Sequence, residues 1–373
     1  MVGEYINPFT PTFGVIPEHI AGRSRFLASL RHAFAAPARR LELTTVLYGA
    51  RGTGKTTLLS VAAQMAQESG WVVARTAALP GMLEDIEQNA RRNSSHLIDA
   101  PNSYSTTAHV GIGNLAHVDR TATTLGEANW RSRMTDILDQ LSEQDVGLLI
   151  TVDEIDPSLD ELIQLVSVYQ LFVAEDRKVA LLMAGLPGVV SRLLSNKDVS
   201  FLRRAQLRHI GRIEDHDVRE AFVRTIRDAG RTIDDSALTL AVTASEGFAY
   251  LIQLTGYRAW DINPNSTTIT LRDMQLGVES ARAELESHVV ASSYSDLSER
   301  DIEFLEAMTR DIGDSKIADI TARLGWSSSM VAQYRRRLIE AGVVGERKRG
   351  VVGFDLPLLR DYVKKQMDEG STL

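Results

Sequence analysis

The sequence predicts an α/β protein, a parallel sheet covered by helices on both faces, followed by a helical segment and a small helix–hairpin unit. Five β-like apolar runs carry the first part: Thr45–Tyr48, Trp71–Thr76, Leu148–Val152, Val179–Ala184 and Leu207–Ile213. Helical patterns separate most of them, the alternation that builds a parallel sheet buried on both sides. Beyond Ile213 the strand signals vanish and helical periodicity takes over.

Residues 1–22 read as an extended lead with Pro8, Pro11, Pro17 and scattered aromatics. Helical spacing begins near Arg23, with Phe26, Leu27, Leu30 and Phe34 on one face, and stops at Pro37. A long insert, residues 79–146, parts the second and third runs. It holds a helix near Gly81–Arg92, a Ser/Thr/Asn-rich stretch around Pro101–Thr107, and a candidate hairpin over His109–Val118. Inserts this long are either functional or disordered. Next come candidate helices Asp215–Asp228, Ser236–Ser245, Phe248–Trp260 and Leu271–Glu286, broken by Gly230, Gly247 and Asn263-Pro264. A polar linker, Ala291–Ser295, leads into the last unit. The expected domains are 1–212, 213–291 and 296–373. No internal repeat or low-complexity tract is visible.

The first apolar run leads directly into Gly49-Ala50-Arg51-Gly52-Thr53-Gly54-Lys55-Thr56, with Thr57 and a helical stretch after it. Strand, glycine loop and helix in this order form a phosphate-binding P-loop. Glycines let backbone N–H groups turn inward, and the helix presents its positive end to an anion. Lys55 is placed to reach the β- and γ-phosphates, and the Thr56 hydroxyl to ligate Mg²⁺. The third run ends in Asp153-Glu154-Ile155-Asp156. Asp153 is the expected carboxylate for Mg²⁺, mostly through water. Glu154 is the expected base that orients and deprotonates water. The bland alternatives are a glycine turn before a surface helix and a solvated acidic turn. Asn196-Lys197-Asp198 lacks the spacing of the Asn-Lys-x-Asp element that reads guanine, so ATP is the expected nucleotide. Hydrolysis to ADP and phosphate is the expected reaction.

Together these elements resemble an AAA+ ATPase. Within that superfamily the chain is similar to origin-recognition-type replication initiators and their bacterial and archaeal ATPase relatives. Asn7-Pro8-Phe9 and Ala21-Gly22-Arg23 resemble the initiators' leading motif, which folds over adenine. The resemblance implies a sheet ordered 5-1-4-3-2, an α-helical lid, and ATP bound between lid and core. It also implies an arginine finger before the fifth strand, where Arg203 and Arg204 stand, with Arg204 better spaced. Such a finger reaches a neighbouring copy's γ-phosphate and requires a homo-oligomer; a pair of solvated surface arginines is the alternative. Two positions depart from the family pattern. The fourth strand ends Met183-Ala184-Gly185-Leu186-Pro187 without a polar sensor, and Tyr250 stands where a second sensor arginine is expected. Slow turnover is the consequence expected.

From Leu297 to Lys365 the pattern reads helix–helix–helix–wing–helix. Ser298 caps the first helix, Asp314 or Ser315 starts the second, and Ser327-Ser328-Ser329 opens the third. Val343-Val344 and Val351–Phe354 flank the basic turn Arg347-Lys348-Arg349-Gly350. The pattern is similar to winged helix-turn-helix domains that bind duplex DNA with the third helix. Residues 330–350 hold six basic side chains, Arg335, Arg336, Arg337, Arg347, Lys348 and Arg349, against Glu340 and Glu346. Ser328 and Gln333 are the expected base-edge contacts and the basic residues the phosphate contacts. Winged helices also bind proteins, so a protein partner is the rival expectation.

Composition bounds the remaining classes. The 373 residues exceed one ordinary domain, and 44% hydrophobic with 24% charged residues is globular. A net charge of −8 argues against coating nucleic acid or membrane with the whole surface. Zero Cys removes disulfides, thiolate metal sites and cysteine nucleophiles. The eight His show no ligand spacing, so Mg²⁺ is the one metal expected. No run approaches the ~18 apolar residues of a membrane span, and Met1–Pro11 lacks a signal pattern, so a cytoplasmic location is expected.

Overall fold

The computed structural model describes residues 6–12, 14–97 and 122–370. Its centre is a five-stranded parallel sheet of β1 (Thr44–Tyr48), β2 (Val72–Ala77), β3 (Leu148–Asp153), β4 (Val179–Gly185) and β5 (Gln206–His209). The order is β2-β3-β4-β1-β5, the arrangement implied by the resemblance. β1 pairs with β4 from Thr44↔Leu181 to Tyr48↔Gly185, and its other edge takes β5. β5 is shorter than its apolar run, because the chain beyond His209 leaves the sheet.

The strands read as continuous apolar runs because both faces are covered. Val46, Ile150, Leu181 and Met183 face a layer made by α3 (Met82–Asn93), α4 (Ala122–Ser142) and α5 (Asp160–Ala174). Their sequence neighbours Leu47, Leu149, Leu182 and Ala184 face α1 (Ser24–Ala35) and α2 (Lys55–Glu68). Alternate side chains of a strand point to opposite faces, so each strand feeds two cores. α6 (Pro187–Ser195) follows β4. The Pro101–Thr107 stretch and the His109–Val118 hairpin lie outside the described residues.

Next come α7 (Asp215–Asp228), β6 (Thr232–Ile233), α8 (Asp235–Ser245), α9 (Ala249–Ile262), β7 (Thr268–Ile269) and α10 (Leu271–Leu285). The four helices stand within a residue or two of expectation. The short parallel pair β6–β7 corrects the reading that strands vanish here; two-residue strands carry too little periodicity to detect. This bundle closes on Phe222, Trp260, Met274 and Phe9, the last contributed by the N-terminal lead.

The expected polar linker is helical instead. A π-helical segment, Glu286–Val290, runs into α11 (Ala291–Ser295). Val290 is buried, and Tyr294 meets Tyr362 edge-on at 5.3 Å, so packing holds the connection in place. The last unit contains α12 (Glu299–Thr309), β8 (Ser315–Lys316), α13 (Ile317–Leu324), α14 (Ser328–Glu340), β9 (Val344–Lys348), β10 (Val351–Phe354) and α15 (Leu359–Gly370). Ser298 and Asp301 form a reciprocal capping box at α12. Ser315 does not start a helix: it joins β8, which pairs antiparallel with β10 in the sheet β8-β10-β9. That pairing is long-range and leaves no local signature. Among the described residues no helix is long and apolar enough to cross a membrane.

Candidate functional site

The loop from β1 to α2 forms the floor of a cleft of about 790 Å³. Gly49 lies so close to the chain leaving β5 that a Cβ would sit 2.2 Å from the Ile210 carbonyl oxygen. Gly54 caps α2 with φ 91°, a conformation that favours glycine. The N-terminus of α2, with its unpaired N–H groups and positive dipole end, opens into the cleft.

Residues far apart in sequence converge here. Thr56 Oγ1 donates to Asp153 Oδ2 at 2.6 Å, joining the start of α2 to the end of β3. The second Asp153 oxygen accepts the Glu154 backbone N–H at 2.9 Å. Glu154 lines the cleft with φ 49°, a left-handed conformation uncommon for a side-chain-bearing residue. Lys55 Nζ donates to the carbonyls of Gly49 (2.9 Å) and Ala50 (2.8 Å). Burial pushes its ammonium down to about 8, against the pull of Asp153, which favours the charged form. Arg51, Gly52, Thr53 and Thr57 line the same cleft. Gly49 and Ala50 contribute their carbonyls to Lys55, and the Ala50 side chain packs away from the cleft into the apolar core of the last unit.

The roof comes from the helical bundle and the N-terminal lead. Tyr250 N–H donates to the Gly52 carbonyl at 3.2 Å, seating the start of α9 on the loop. Phe9 is buried beside Phe222, and Asn7 Nδ2 donates to the Tyr257 carbonyl at 3.0 Å. Thr10 N–H then donates to Gln253 Oε1 at 3.0 Å. Tyr250 and Gln253 sit three residues apart on one face of α9, and both line the cleft. Sequence reasoning missed Gln253; the helical spacing from Tyr250 is the signal that could have found it. Arg23 lines the cleft and donates to the Gly211 carbonyl; burial lowers its pKa, while Asp217 opposes the shift. Beside the Asp153 end, β4 contributes Gly185 and then Leu186, so no polar side chain comes from that strand end.

Other predicted residues fall elsewhere. Arg203 and Arg204 are exposed and do not line this chain's cleft; Arg203 Nε donates to the Leu194 carbonyl at 2.9 Å. The six basic residues of the last unit do not form one patch. Arg337 pairs with the buried Asp301 at 2.7 Å, and Arg347 with Asp355 at 2.6 Å and Asp314 at 3.3 Å. Arg335, Arg336 and Gln333 line a second cleft between α14 and α6. Ser328, Lys348 and Arg349 are exposed. His209 lies beside Tyr48, and among the described residues no group of three or more His, Asp or Glu is placed to hold a metal.

A parallel sheet of this order, with a glycine loop running into α2 and an acid-tipped neighbouring strand, is the fold of a P-loop NTPase of the AAA+ class. The sequence agrees: residues 19–183 match the AAA ATPase domain family, so the chain carries an AAA ATPase domain. Residues 287–363 match a domain of unknown function. Among solved structures the fold is similar to a Walker-type ATPase of Pyrococcus abyssi, at 12% identity and TM-score 0.66, covering 92% of this chain and 96% of that one. It is also similar to Cdc6p from Pyrobaculum aerophilum, at 15% identity and TM-score 0.49, covering 96% and 97%. The ORC2 protein of Aeropyrum pernix is similar at 13% identity and TM-score 0.48, covering 96% and 98%. No curated protein matches the sequence.

Proposed function

We propose that this chain binds Mg·ATP in the cleft under α9, hydrolyses it slowly, and uses nucleotide state to control a C-terminal winged helix that contacts duplex DNA. One observation carries the first part: Thr56 and Asp153 are in hydrogen-bond contact beside a half-desolvated Lys55 at the mouth of α2. Two hard oxygen donors at one point suit Mg²⁺, which takes few carboxylates and keeps its waters. When bound, the ion supplies charge neutralisation at the β- and γ-oxygens. Lys55 holds the triphosphate by exchanging its two carbonyl partners for phosphate oxygens, and the N–H groups of α2 complete the cradle. Glu154 accepts the proton of an attacking water and keeps that water aimed. Arg204, exposed and outside its own cleft, serves a neighbouring copy if the chain assembles.

Calorimetry and single-turnover hydrolysis test this reading. Lys55→Ala should weaken nucleotide binding on the order of 100-fold. Glu154→Gln should bind like the parent and turn over about 10²–10⁴-fold more slowly. Hydrolysis at the parental rate by Glu154→Gln refutes the assignment of the base.

Duplex binding is supported by the helix–hairpin order of the last unit and by exposed Lys348 and Arg349. It predicts an affinity that falls steeply with salt. A second reading, a nucleotide-controlled switch whose last unit contacts a protein, is favoured by the diversion of Arg337 and Arg347 into internal ion pairs. Absence of binding to any duplex at low salt selects that reading.

A further inference from the structure

The last unit is seated on the ATPase domain in a specific way. Ser329, Gln333, Arg336 and Glu340 form one stripe along α14, spaced four, three and four residues apart. That stripe faces α6 across a cleft of about 560 Å³. The approach is close at one end: a Cβ on Gly188 would sit 2.3 Å from the Glu340 side chain, and Arg192 reaches Glu340 at 3.7 Å. Gln333 and Arg336 keep contact with water, yet a gap of this size has no room for a duplex. A helix that reads the major groove needs both flanks clear.

The same seat touches the nucleotide loop. Gly342, just past the end of α14, packs on Ala50 and Leu186, with 3.4 Å from an ideal Cβ to each. Ala50 belongs to the apolar cluster of Leu338, Val343 and Val344. Its carbonyl also accepts from Lys55 Nζ and from Thr53 Oγ1 at 2.9 Å. Arg51, on the cleft wall, lies 3.9 Å from Asp296 at the start of the last unit. An anion in the cleft competes for Lys55 and Arg51, the two cations whose present partners tie loop and last unit together. No polar residue at the end of β4 senses the nucleotide, while Leu186 and Gly188, which follow that strand, touch the last unit instead.

We propose that the last unit is a nucleotide-controlled cover: seated on Ala50 and α6 it blocks the Gln333–Arg336 stripe, and filling the cleft loosens the seat and frees the stripe. The inference rests on the nucleotide reading above but holds for either partner class. The π-helical segment Glu286–Val290 gives the connection a place to bend. Coupling of this kind is reciprocal, so loosening the seat must raise nucleotide affinity by the factor through which nucleotide loosens it.

The absence of Cys makes a direct test available. Spin labels on Ser191→Cys (α6) and Ala332→Cys (α14) report the gap by pulsed dipolar spectroscopy in the full chain. Without nucleotide a single short separation is expected. Saturating Mg·ATP in a Glu154→Gln background, or the wedge Gly188→Gln without nucleotide, should lengthen it by about one helix diameter, ~10 Å. Gly188→Gln should also tighten nucleotide binding several-fold. An unchanged separation at calorimetrically confirmed saturation overturns the coupling, and a long separation in the nucleotide-free parent overturns the seat itself. Failure to take up nucleotide refutes the proposed function, and the wedge then still decides the seat. Locking the two cysteines with a short bis-maleimide should lower affinity for a duplex at least tenfold; equal affinity of locked and unlocked protein overturns the blocking. If no form binds a duplex, the DNA reading falls, and the separations alone decide the cover.

Discussion

The nucleotide cleft and the C-terminal basic surface use the same kinds of side chain and end differently. In the cleft, Lys55, Thr56, Asp153 and Glu154 converge on one point, with Thr56 and Asp153 in direct contact. In the last unit, residues equally close in sequence scatter. Arg337 turns back to Asp301, Arg347 to Asp355, and Arg336 faces α6. The difference is one of anchoring. The P-loop is clamped between a strand and a helix whose glycines leave only one path. The arginines of α14 sit on long flexible stems, and the nearest carboxylate takes them.

The largest effect that would sharpen this contrast is at the metal donors. Asp153→Asn together with Thr56→Val should abolish the Mg²⁺ dependence of nucleotide binding and weaken it on the order of 100-fold, read by calorimetry with and without the ion. Retained Mg²⁺ dependence would break the claim that the two converge for a metal. Next in size, Lys348→Ala with Arg349→Ala should lower duplex affinity about tenfold and reduce the slope of log affinity against log salt by about two. Arg347→Ala should change that slope little, because its charge is spent on Asp355 and Asp314. Equal slopes for the two variants would show that the surface works as one patch after all.

Smaller again is a stability effect. Arg337→Ala leaves Asp301, 1% exposed, without its cation and should cost about 1–3 kcal/mol, seen as a lower melting temperature of the last unit. The Ser298 cap still serves that carboxylate, which keeps the loss moderate.

The smallest effects depend on pH. Burial depresses Lys55, so in the free protein it loses its proton as pH rises through about 8. Phosphate oxygens favour the charged form, so binding above pH 8 must take up a proton. Affinity should be flat below pH 8 and fall at most tenfold per unit above it, with proton uptake seen by calorimetry in buffers of different ionisation heat. In the last unit, hydrogen bonds from Arg323 hold Asp311 down at about 2. A depressed carboxylate stabilises above its unfolded pKa, and that stability fades as pH falls from about 4 through 2. The last unit should therefore weaken in acid, and Asp311→Asn should remove that part of the acid response.

Much of the site was written in order along the chain. The loop Gly49–Thr56 is contiguous, and its chemistry depends on glycine spacing and one lysine, so local sequence sufficed. Asp153 and Glu154 were found because a strand end is a local event. The residues that roof the cleft were harder. Gln253 has no motif, and the pairing of Thr10 with it spans the molecule. The β8 strand, the β6–β7 pair and the helical form of 286–295 escaped for the same reason: each is stabilised by partners distant in sequence.

By itself the sequence determined the α/β class, the nucleotide loop and its acids, and the helix–hairpin order of the last unit, because periodicity, glycine placement and capping act over a few residues. Only the tertiary structure decided which arginines are free, what roofs the cleft, and that α14 rests against α6 with Gly342 on Ala50. Those outcomes depend on which surfaces meet, and a side chain's partner is chosen by distance in space.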